Sequence, residues 1–178
     1  MMNKLKTALV LAIIGIVSGA LIFGTNELTE DGIIEIRAER ERAYYKEIFG
    51  LDETDEITFT TLELTGDLVE EVTIFDATGN ELGYIYKGEE TNTYGSITVL
   101  IGVRLDGTIA SVVISNTTNT PIFVKRIEND YLSPFAGQDT SDVTFDAQTG
   151  ASYTYGSVEK FVDLAAQYYQ VNRGGDND

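Results

Sequence analysis

The sequence predicts an α+β protein in which a single N-terminal transmembrane helix precedes a domain with an antiparallel sheet and flanking helices. Three observations support this fold class. Residues 7–26 carry no charged side chain. From about residue 57 to residue 115, β-branched and aromatic runs alternate with turn residues, and residues 157–171 show apolar side chains at helical spacing. A chain of 178 residues suits one domain with attachments.

The N-terminal segment is predicted to be a membrane anchor. Lys4 and Lys6 precede an uncharged run of 20 residues, and such a run spans the ~30 Å hydrocarbon core of a bilayer. The lysines predict that residues 1–6 stay in the cytoplasm while the main domain is extracytoplasmic, as in a single-pass protein of the cell membrane. A cleaved signal peptide is the alternative, because Ser18, Gly19 and Ala20 are small, although the apolar run continues beyond them.

The composition excludes several function classes. The chain has 12 Lys+Arg, 29 Asp+Glu and a net charge of −17, with no His, Cys or Trp. There is consequently no Ser-His-Asp triad, no haem ligated by His or Cys, no iron–sulfur cluster and no disulfide. We expect no nucleic-acid partner, because a polyanion is repelled by this charge, and no metal site. Redox chemistry would require an organic cofactor.

The region after the anchor is predicted to begin with a juxtamembrane helix and connector over residues 27–56. Acidic residues crowd the first turns of residues 27–48 and basic residues the later turns, which suits the helix dipole. The candidates for its buried stripe are Ile33, Ile36, Tyr44 and Ile48. A solvated stalk is the alternative.

An antiparallel meander is predicted next, with strands over residues 72–75, 82–87, 96–104 and 108–115. Asp106-Gly107 between two β-rich runs is a strong hairpin signal. Residues 116–141 are predicted to be a loop with a short helix near residues 124–129, and residues 143–145 a short strand. Residues 157–171 are predicted to be an amphipathic helix with Ser157 as its N-cap, followed by a disordered tail over residues 173–178.

The segment before the last helix is the candidate binding site. It reads Asp-Ala-Gln-Thr-Gly-Ala-Ser-Tyr-Thr over residues 146–154. Gly150 and Ala151 leave the backbone uncrowded, and Ser152 and Thr154 offer hydroxyl groups near the start of a helix, where free N–H groups favour a phosphate. An ordinary strand-to-helix turn is the alternative interpretation.

This segment resembles the flavinylation motif of the FMN-binding domain family, Asp-x-x-[Ser/Thr]-Gly-Ala-[Ser/Thr]-x-[Ser/Thr]. The matching residues are Asp146, Thr149, Gly150, Ala151, Ser152 and Thr154. The chain resembles the G subunit of the Rnf ion-translocating electron-transport complex, which is related to the C subunit of sodium-translocating NADH:quinone reductase. The lysine-flanked anchor, the acidic helix, Gly83-Tyr84 and the run over residues 101–107 extend the resemblance.

The resemblance implies that residues 57–172 form an FMN-binding domain and that Ser152 holds FMN through a phosphoester. A dedicated flavin transferase would make this bond, and the product would be a phosphoprotein. Most similar family members have Thr at this position. In the loop after the hairpin, where the family has Glu-Thr-Pro-Gly-Leu-Gly, this chain has Asn-Thr-Pro-Ile-Phe over residues 119–123. Thr120 and Pro121 are the implied contacts there. This chain lacks the acidic residue and both glycines of the family's loop, which implies either a remodelled flavin pocket or a flavin that sits in a more open pocket.

The resemblance also implies a function. The chain would be the electron-carrying subunit of a membrane-bound, ion-translocating ferredoxin:NAD oxidoreductase, with other membrane subunits as partners and no turnover of its own. Two alternatives stay open. One is a membrane-tethered extracytoplasmic binding or sensory domain without flavin, and the other is a stand-alone flavoprotein of extracellular electron transfer.

Overall fold

A computed structural model of the chain describes residues 2–92, 95–118, 131–145 and 152–174. In chain order its helices and strands are α1 (Met2–Phe49), β1 (Thr58–Glu63), β2 (Leu68–Phe75), β3 (Glu81–Asn92), β4 (Gly95–Arg104), β5 (Ile109–Thr117) and α2 (Ser152–Asn172). A 3-10 turn at Ser133–Phe135 lies between β5 and α2. The chain divides into two compact units, Met1–Glu41 and Arg42–Asp178.

The first unit consists of the N-terminal part of helix α1. Its stretch Lys6–Gly24 has a mean hydropathy of 2.4 and no buried part, and by length and composition it is sufficient to cross a membrane. Ile36 is 57 % exposed, so its predicted burial is wrong. Among the residues described, this unit consists of the helix alone and offers no second element against which Ile36 could pack. The side chain of Ile33 lies outside those described.

The last turns of α1 belong to the second unit and pack on one face of its sheet. Tyr45 and Ile48 are each 2 % exposed, and they share an apolar cluster with Val72, Ile74, Ile85, Leu100 and Ala110. The predicted burial of Ile48 is therefore confirmed. A Cβ on Gly102 of β4 would lie 2.1 Å from Ile48 Cγ2, so the glycine allows the helix to approach the sheet closely.

The five strands form one sheet in the order β1-β2-β3-β4-β5, and every neighbouring pair is antiparallel. This is the predicted meander. The β4–β5 hairpin turns at Asp106-Gly107, where Gly107 has φ +82° and Arg104 N donates to Thr108 O at 2.8 Å. The hairpin predicted at this dipeptide is confirmed.

Helix α2 packs on the opposite face of the sheet. Val158, Phe161, Val162 and Ala165 are fully buried there, in one cluster with residues of β3, β4 and β5. Gly88 of β3 receives the Phe161 ring, because a Cβ at that position would lie 2.3 Å from Phe161 Cδ1. The predicted α+β class is confirmed, with the sheet lying between α2 and the end of α1.

Two local predictions are wrong. Helix α2 begins at Ser152, and Ser157 lies inside it, 3 % exposed, with its hydroxyl bonded to a strand residue, so Ser157 is not an N-cap. Residues 143–145 form no strand, because the Gln138 side chain accepts a bond from Thr144 N at 2.7 Å and donates to Thr144 O at 3.2 Å. The helix predicted near residues 124–129 lies outside the described residues.

Candidate functional site

Ser152 is the first residue of α2, a helix of 21 residues. The N–H groups of a first helical turn lack acceptors within the helix, and the helix dipole adds positive potential at that end. The backbone around Ser152 is thus suited to an anionic phosphate. Of the residues predicted for the site, Ser152 and Thr154 fall on described positions. Asp146, Thr149, Gly150, Ala151, Thr120 and Pro121 lie outside the described residues.

Thr154 follows Ser152 within the same turn and is 6 % exposed. Most of its side chain is therefore removed from solvent. The structure brings Thr154 next to the predicted attachment point. Its role as a cofactor contact stays a prediction.

A group of four aromatic side chains lies beside the first turns of α2. Tyr155 follows Ser152 by three positions, which puts both on neighbouring positions of one helix face. The ring of Tyr155 meets that of Tyr131 edge to face with centroids 4.4 Å apart, Tyr131 meets Phe135 at 5.4 Å, and Phe135 meets Phe145 at 5.8 Å. We call Tyr131, Phe135, Phe145 and Tyr155 the aromatic group.

The aromatic group includes residues that the sequence prediction did not assign to the site. Tyr131 and Phe135 are 2 % exposed although they come from a polar segment predicted to be a loop. The available signal was the placement of two aromatic residues four positions apart around Pro134. The Tyr131 hydroxyl also donates to Glu159 Oε1, so this segment is tied to α2 by a polar contact as well as by ring packing.

Glu90 of β3 holds the N-terminal half of α2 on the sheet. Its Oε1 accepts from the Ser157 hydroxyl at 2.9 Å, and its Oε2 accepts from Lys160 Nζ at 3.0 Å. Lys160 Nζ also lies 3.2 Å from Asp67 Oδ1. The hydrogen bond to Glu90 raises the pKa of Lys160, which therefore stays cationic at neutral pH.

A polar cleft of about 280 Å³ adjoins Glu90 at the end of the β3–β4 pair. Its lining consists of hydroxyl, amide and carboxylate side chains with one aliphatic residue, namely Glu89, Glu90, Thr91, Ser96, Ile97, Thr98 and Asn116. Such a lining can exchange hydrogen bonds with a hydroxyl-rich ligand. Across the described part of the chain, no group of three or more acidic residues is placed to hold a metal ion.

The far end of α2 is fixed by an ion pair between a buried carboxylate and a partly exposed guanidinium. Arg173 Nη2 lies 2.7 Å from Oε1 of Glu71, whose side chain is 2 % exposed, and the guanidinium stacks 4.7 Å from the centre of the Tyr84 ring. Burial raises the pKa of Tyr84 to about 12. It raises that of Tyr86 further, with the Glu71 carboxylate acting in the same direction. Both phenols are therefore neutral hydrogen-bonding groups at physiological pH.

A larger cleft of about 600 Å³ lies along the C-terminal half of α2. Its helical lining runs from Leu164 to Asn172, and Tyr168 is about 24 Å along the helix from Ser152 at 1.5 Å per residue. The predicted attachment point and the larger of these two clefts are therefore separate features. The aromatic group lies beside the first turns of α2, and the polar cleft adjoins Glu90, which bonds to Ser157 and Lys160 of the same helix.

Comparison with known proteins finds two similarities. Residues 93–167 match the family model of the FMN-binding domain, a range that includes the motif and most of α2. The chain is also 27 % identical, over 97 % of its own length and 93 % of the relative's, to the G subunit of the ion-translocating oxidoreductase complex of Vibrio atlanticus (strain LGP32). The predicted similarity to G subunits is confirmed, and residues 93–167 are similar to the FMN-binding domain.

Proposed function

We propose that the chain is an electron-transport flavin subunit of an Rnf-like, ion-translocating ferredoxin:NAD oxidoreductase, and that it holds FMN covalently on Ser152. The observation that carries the proposal is the position of Ser152 as the first residue of α2 within a motif of the matching family. The similarity to a complex subunit over nearly the whole chain supports the role in an assembly.

The residues present fit a phosphate-linked flavin. The Ser152 hydroxyl supplies the oxygen for the phosphoester, and the free N–H groups of the first turn of α2 would stabilise the phosphate charge. A flavin transferase acting on FAD would form the bond from this oxygen to phosphorus and break the FAD pyrophosphate bond, with AMP leaving. FMN supplies one- and two-electron chemistry that a chain without His or Cys does not provide.

The remaining proposed contacts are assigned by the motif and by the environment of α2. Asp146, Thr149, Gly150, Ala151 and Thr154 complete the motif, and Thr120 and Pro121 come from the loop after the hairpin. The exposed edge of the aromatic group is Phe145, which is 37 % exposed. An apolar ring system can pack there while the phosphate stays at the helix start.

The proposed setting is the cell membrane. The uncharged stretch Lys6–Gly24 would anchor the chain, and the lysines before it would keep the N-terminus in the cytoplasm. The domain would then be exported and would meet the other membrane subunits of the complex outside the cytoplasm. A covalent link would prevent loss of the cofactor there.

The test is flavinylation of the full chain co-expressed with a flavin transferase, followed by a denaturing gel viewed under ultraviolet light. We expect a fluorescent band for the natural chain and for Ser152→Thr, which keeps the hydroxyl, and none for Ser152→Ala. Ser157→Ala is the matched control, because it removes another hydroxyl of the same helix. An absence of fluorescence in the natural chain, or fluorescence that persists in Ser152→Ala, would overturn the assignment.

A second candidate is a membrane-tethered binding or sensory domain of the same fold without flavin. The observation that favours it is the loss of the family's acid and both glycines around Thr120-Pro121. The same gel separates the two candidates, since this second function predicts no fluorescent band. Co-purification of a fluorescent chain with multi-span membrane proteins would exclude the stand-alone flavoprotein.

A further inference from the structure

Helix α2 does not extend over strand β1 at one edge of the sheet. Across the first three strands, Thr60 of β1 lies opposite Thr73 of β2, which lies opposite Tyr84 of β3. In the same way, Leu62 lies opposite Glu71, which lies opposite Tyr86. These two tyrosines contact rings of α2, so Thr60 and Leu62 are on the same face as the helix. Helix α2 packs on β2, β3 and β4, and β1 extends beyond it.

The last residue of β1, the turn that joins β1 to β2, and the C-terminal half of α2 enclose the larger cleft. Its apolar lining comes from Leu64 and Leu68 on one side and from Leu164, Tyr168 and Val171 on the other. Val171 is 82 % exposed, and Leu62, which precedes the lining residue Glu63 in the chain, is 52 % exposed. We call this cleft, with Leu62 at its end, the β1 groove.

Strand β1 lies at one edge of the sheet, and among the described residues no strand pairs with its outer side. Strand β1 ends the sheet order, and its six residues pair with β2 without any shift in register. The strand Thr-Phe-Thr-Thr-Leu-Glu contains no proline, no lysine and no bulge, which are the common devices that keep edge strands from accepting another strand. A further extended segment can therefore add to β1 through backbone hydrogen bonds.

We propose that the β1 groove docks an extended segment of a partner polypeptide that has apolar side chains at alternate positions and Lys or Arg beside them. The backbone of the segment would pair with β1, and its inward side chains would cover Leu62, Tyr168 and Val171. This interface lies at the opposite end of α2 from Ser152 and does not depend on flavin.

The charge of the groove favours a basic segment over a second copy of the chain and over an anionic lipid. Glu63 and Asp67 line the groove, and the side chain of Asp67 is 58 % exposed even though it contacts Lys160. A second copy of the chain also carries −17, so self-association would bring like charges together. An anionic lipid is repelled in the same way and cannot satisfy the backbone groups of an edge strand, whereas a basic segment is attracted.

The test uses the full chain in its own membranes. The photo-cross-linking amino acid p-benzoylphenylalanine replaces Leu62 in one variant and Val171 in another. A third variant, the control, carries it at Leu105, a 46 % exposed residue of the β4–β5 turn. We expect Leu62 and Val171 to yield adducts with one segment of one partner protein, containing Lys or Arg, and Leu105 to yield none with that segment. Adduct peptides are identified by mass spectrometry.

Charge reversal provides the second arm. Glu63→Arg should lower the adduct yield at Val171 about fivefold, the order expected from one exposed charge contact, and added salt should lower the yield of the natural sequence. Glu53→Arg, an exposed reversal outside the groove, should leave the yield unchanged. The proposal is overturned by adducts with a second copy or with lipid, by no adducts, by a partner segment without basic residues, or by equal effects of the two reversals.

Discussion

Arg173, one residue beyond the end of α2, forms an ion pair with Glu71, a carboxylate that is 2 % exposed in β2, with 2.7 Å between Nη2 and Oε1. The other carboxylate oxygen is buried. The pair joins two positions that are 102 residues apart in sequence. It closes the C-terminal end of the helix onto the sheet, although the sequence places Arg173 in a tail.

Arg173→Ala should destabilise the second unit. Removing one member of a pair leaves the other charge buried without its counter-ion, and the expected cost is about 2–4 kcal/mol. The free energy of unfolding is obtained from urea titration of the full chain in detergent, followed by the near-ultraviolet circular dichroism of the tyrosines. Lys87→Ala, which removes a partly exposed pair with Glu70, should cost about 1 kcal/mol or less. Equal losses in the two variants would contradict this account of Glu71.

Substitution of Gly88 in the sheet and of Gly156 in α2 by alanine should change the free energy of unfolding in opposite directions. Gly88→Ala places a Cβ 2.3 Å from Phe161 Cδ1, and overpacking of this kind costs about 1–3 kcal/mol. Gly156 is an exposed residue of α2 with no atom within 4 Å of an added Cβ, so Gly156→Ala should stabilise the helix by about 0.5–1 kcal/mol. Urea midpoints check both signs, and a stabilising Gly88→Ala would show that Phe161 does not pack as described.

Asp76 should make the β2–β3 turn sensitive to acid. Its carboxylate accepts bonds from Thr78 N at 2.8 Å, Thr78 Oγ1 at 2.7 Å and Asn80 N at 2.9 Å. These bonds, those of Thr78 and Asn80 foremost, lower its pKa well below the ordinary 3.8. Because the folded pKa is depressed, the contribution is complete above pH 3.8 and is lost as pH falls toward the folded value.

The check for Asp76 is a difference measurement. The natural chain should be more stable than Asp76→Asn at pH 6, and the gap should narrow steadily as the pH falls below 3.8. Glu53→Gln, an exposed carboxylate of the connector, serves as the control and should show no such convergence. A gap that stays constant down to pH 2 would indicate that the carboxylate charge does not stabilise the turn.

The absence of cysteine allows a clean test of membrane topology. Single replacements, Asn3→Cys before the uncharged stretch and Glu53→Cys after α1, introduce the only thiol in each chain. A membrane-impermeant maleimide added to intact spheroplasts should label Glu53→Cys and should label Asn3→Cys after lysis. The reverse pattern would place the domain in the cytoplasm, and labelling of both before lysis would indicate that the N-terminus is exported.

The sequence predicted those elements for which local chemistry decides the structure. Gly107 can adopt the positive φ that the β4–β5 turn requires, and the apolar spacing around Phe161 defines the buried side of α2. The start of α2 was misplaced because Ser157 resembles an N-cap, whereas its hydroxyl bonds to Glu90, a residue 67 positions earlier. Residues 143–145 have strand-like side chains, but Gln138 takes the backbone bonds of Thr144.

The part of the candidate site that could be predicted from the sequence is the part formed by consecutive motif residues. Ser152 and Thr154 were identified from their spacing to Gly150 and Ala151, and the structure places them at the start of a helix. Tyr131 and Phe135 could not be assigned to the same place, since their proximity to Tyr155 depends on how a long polar segment returns to α2. The burial of Glu71 is likewise a long-range effect, set by a guanidinium from the end of the chain.

The open edge of β1 also bears on the solubility of the chain. A flat, unprotected edge strand is a template for aggregation between identical molecules, and the net charge of −17 keeps such molecules apart at neutral pH. Near the isoelectric point of about 4.2 this colloidal protection disappears while the edge remains. The large acidic excess therefore protects a sheet whose edge strand has no proline, lysine or bulge of its own against self-pairing.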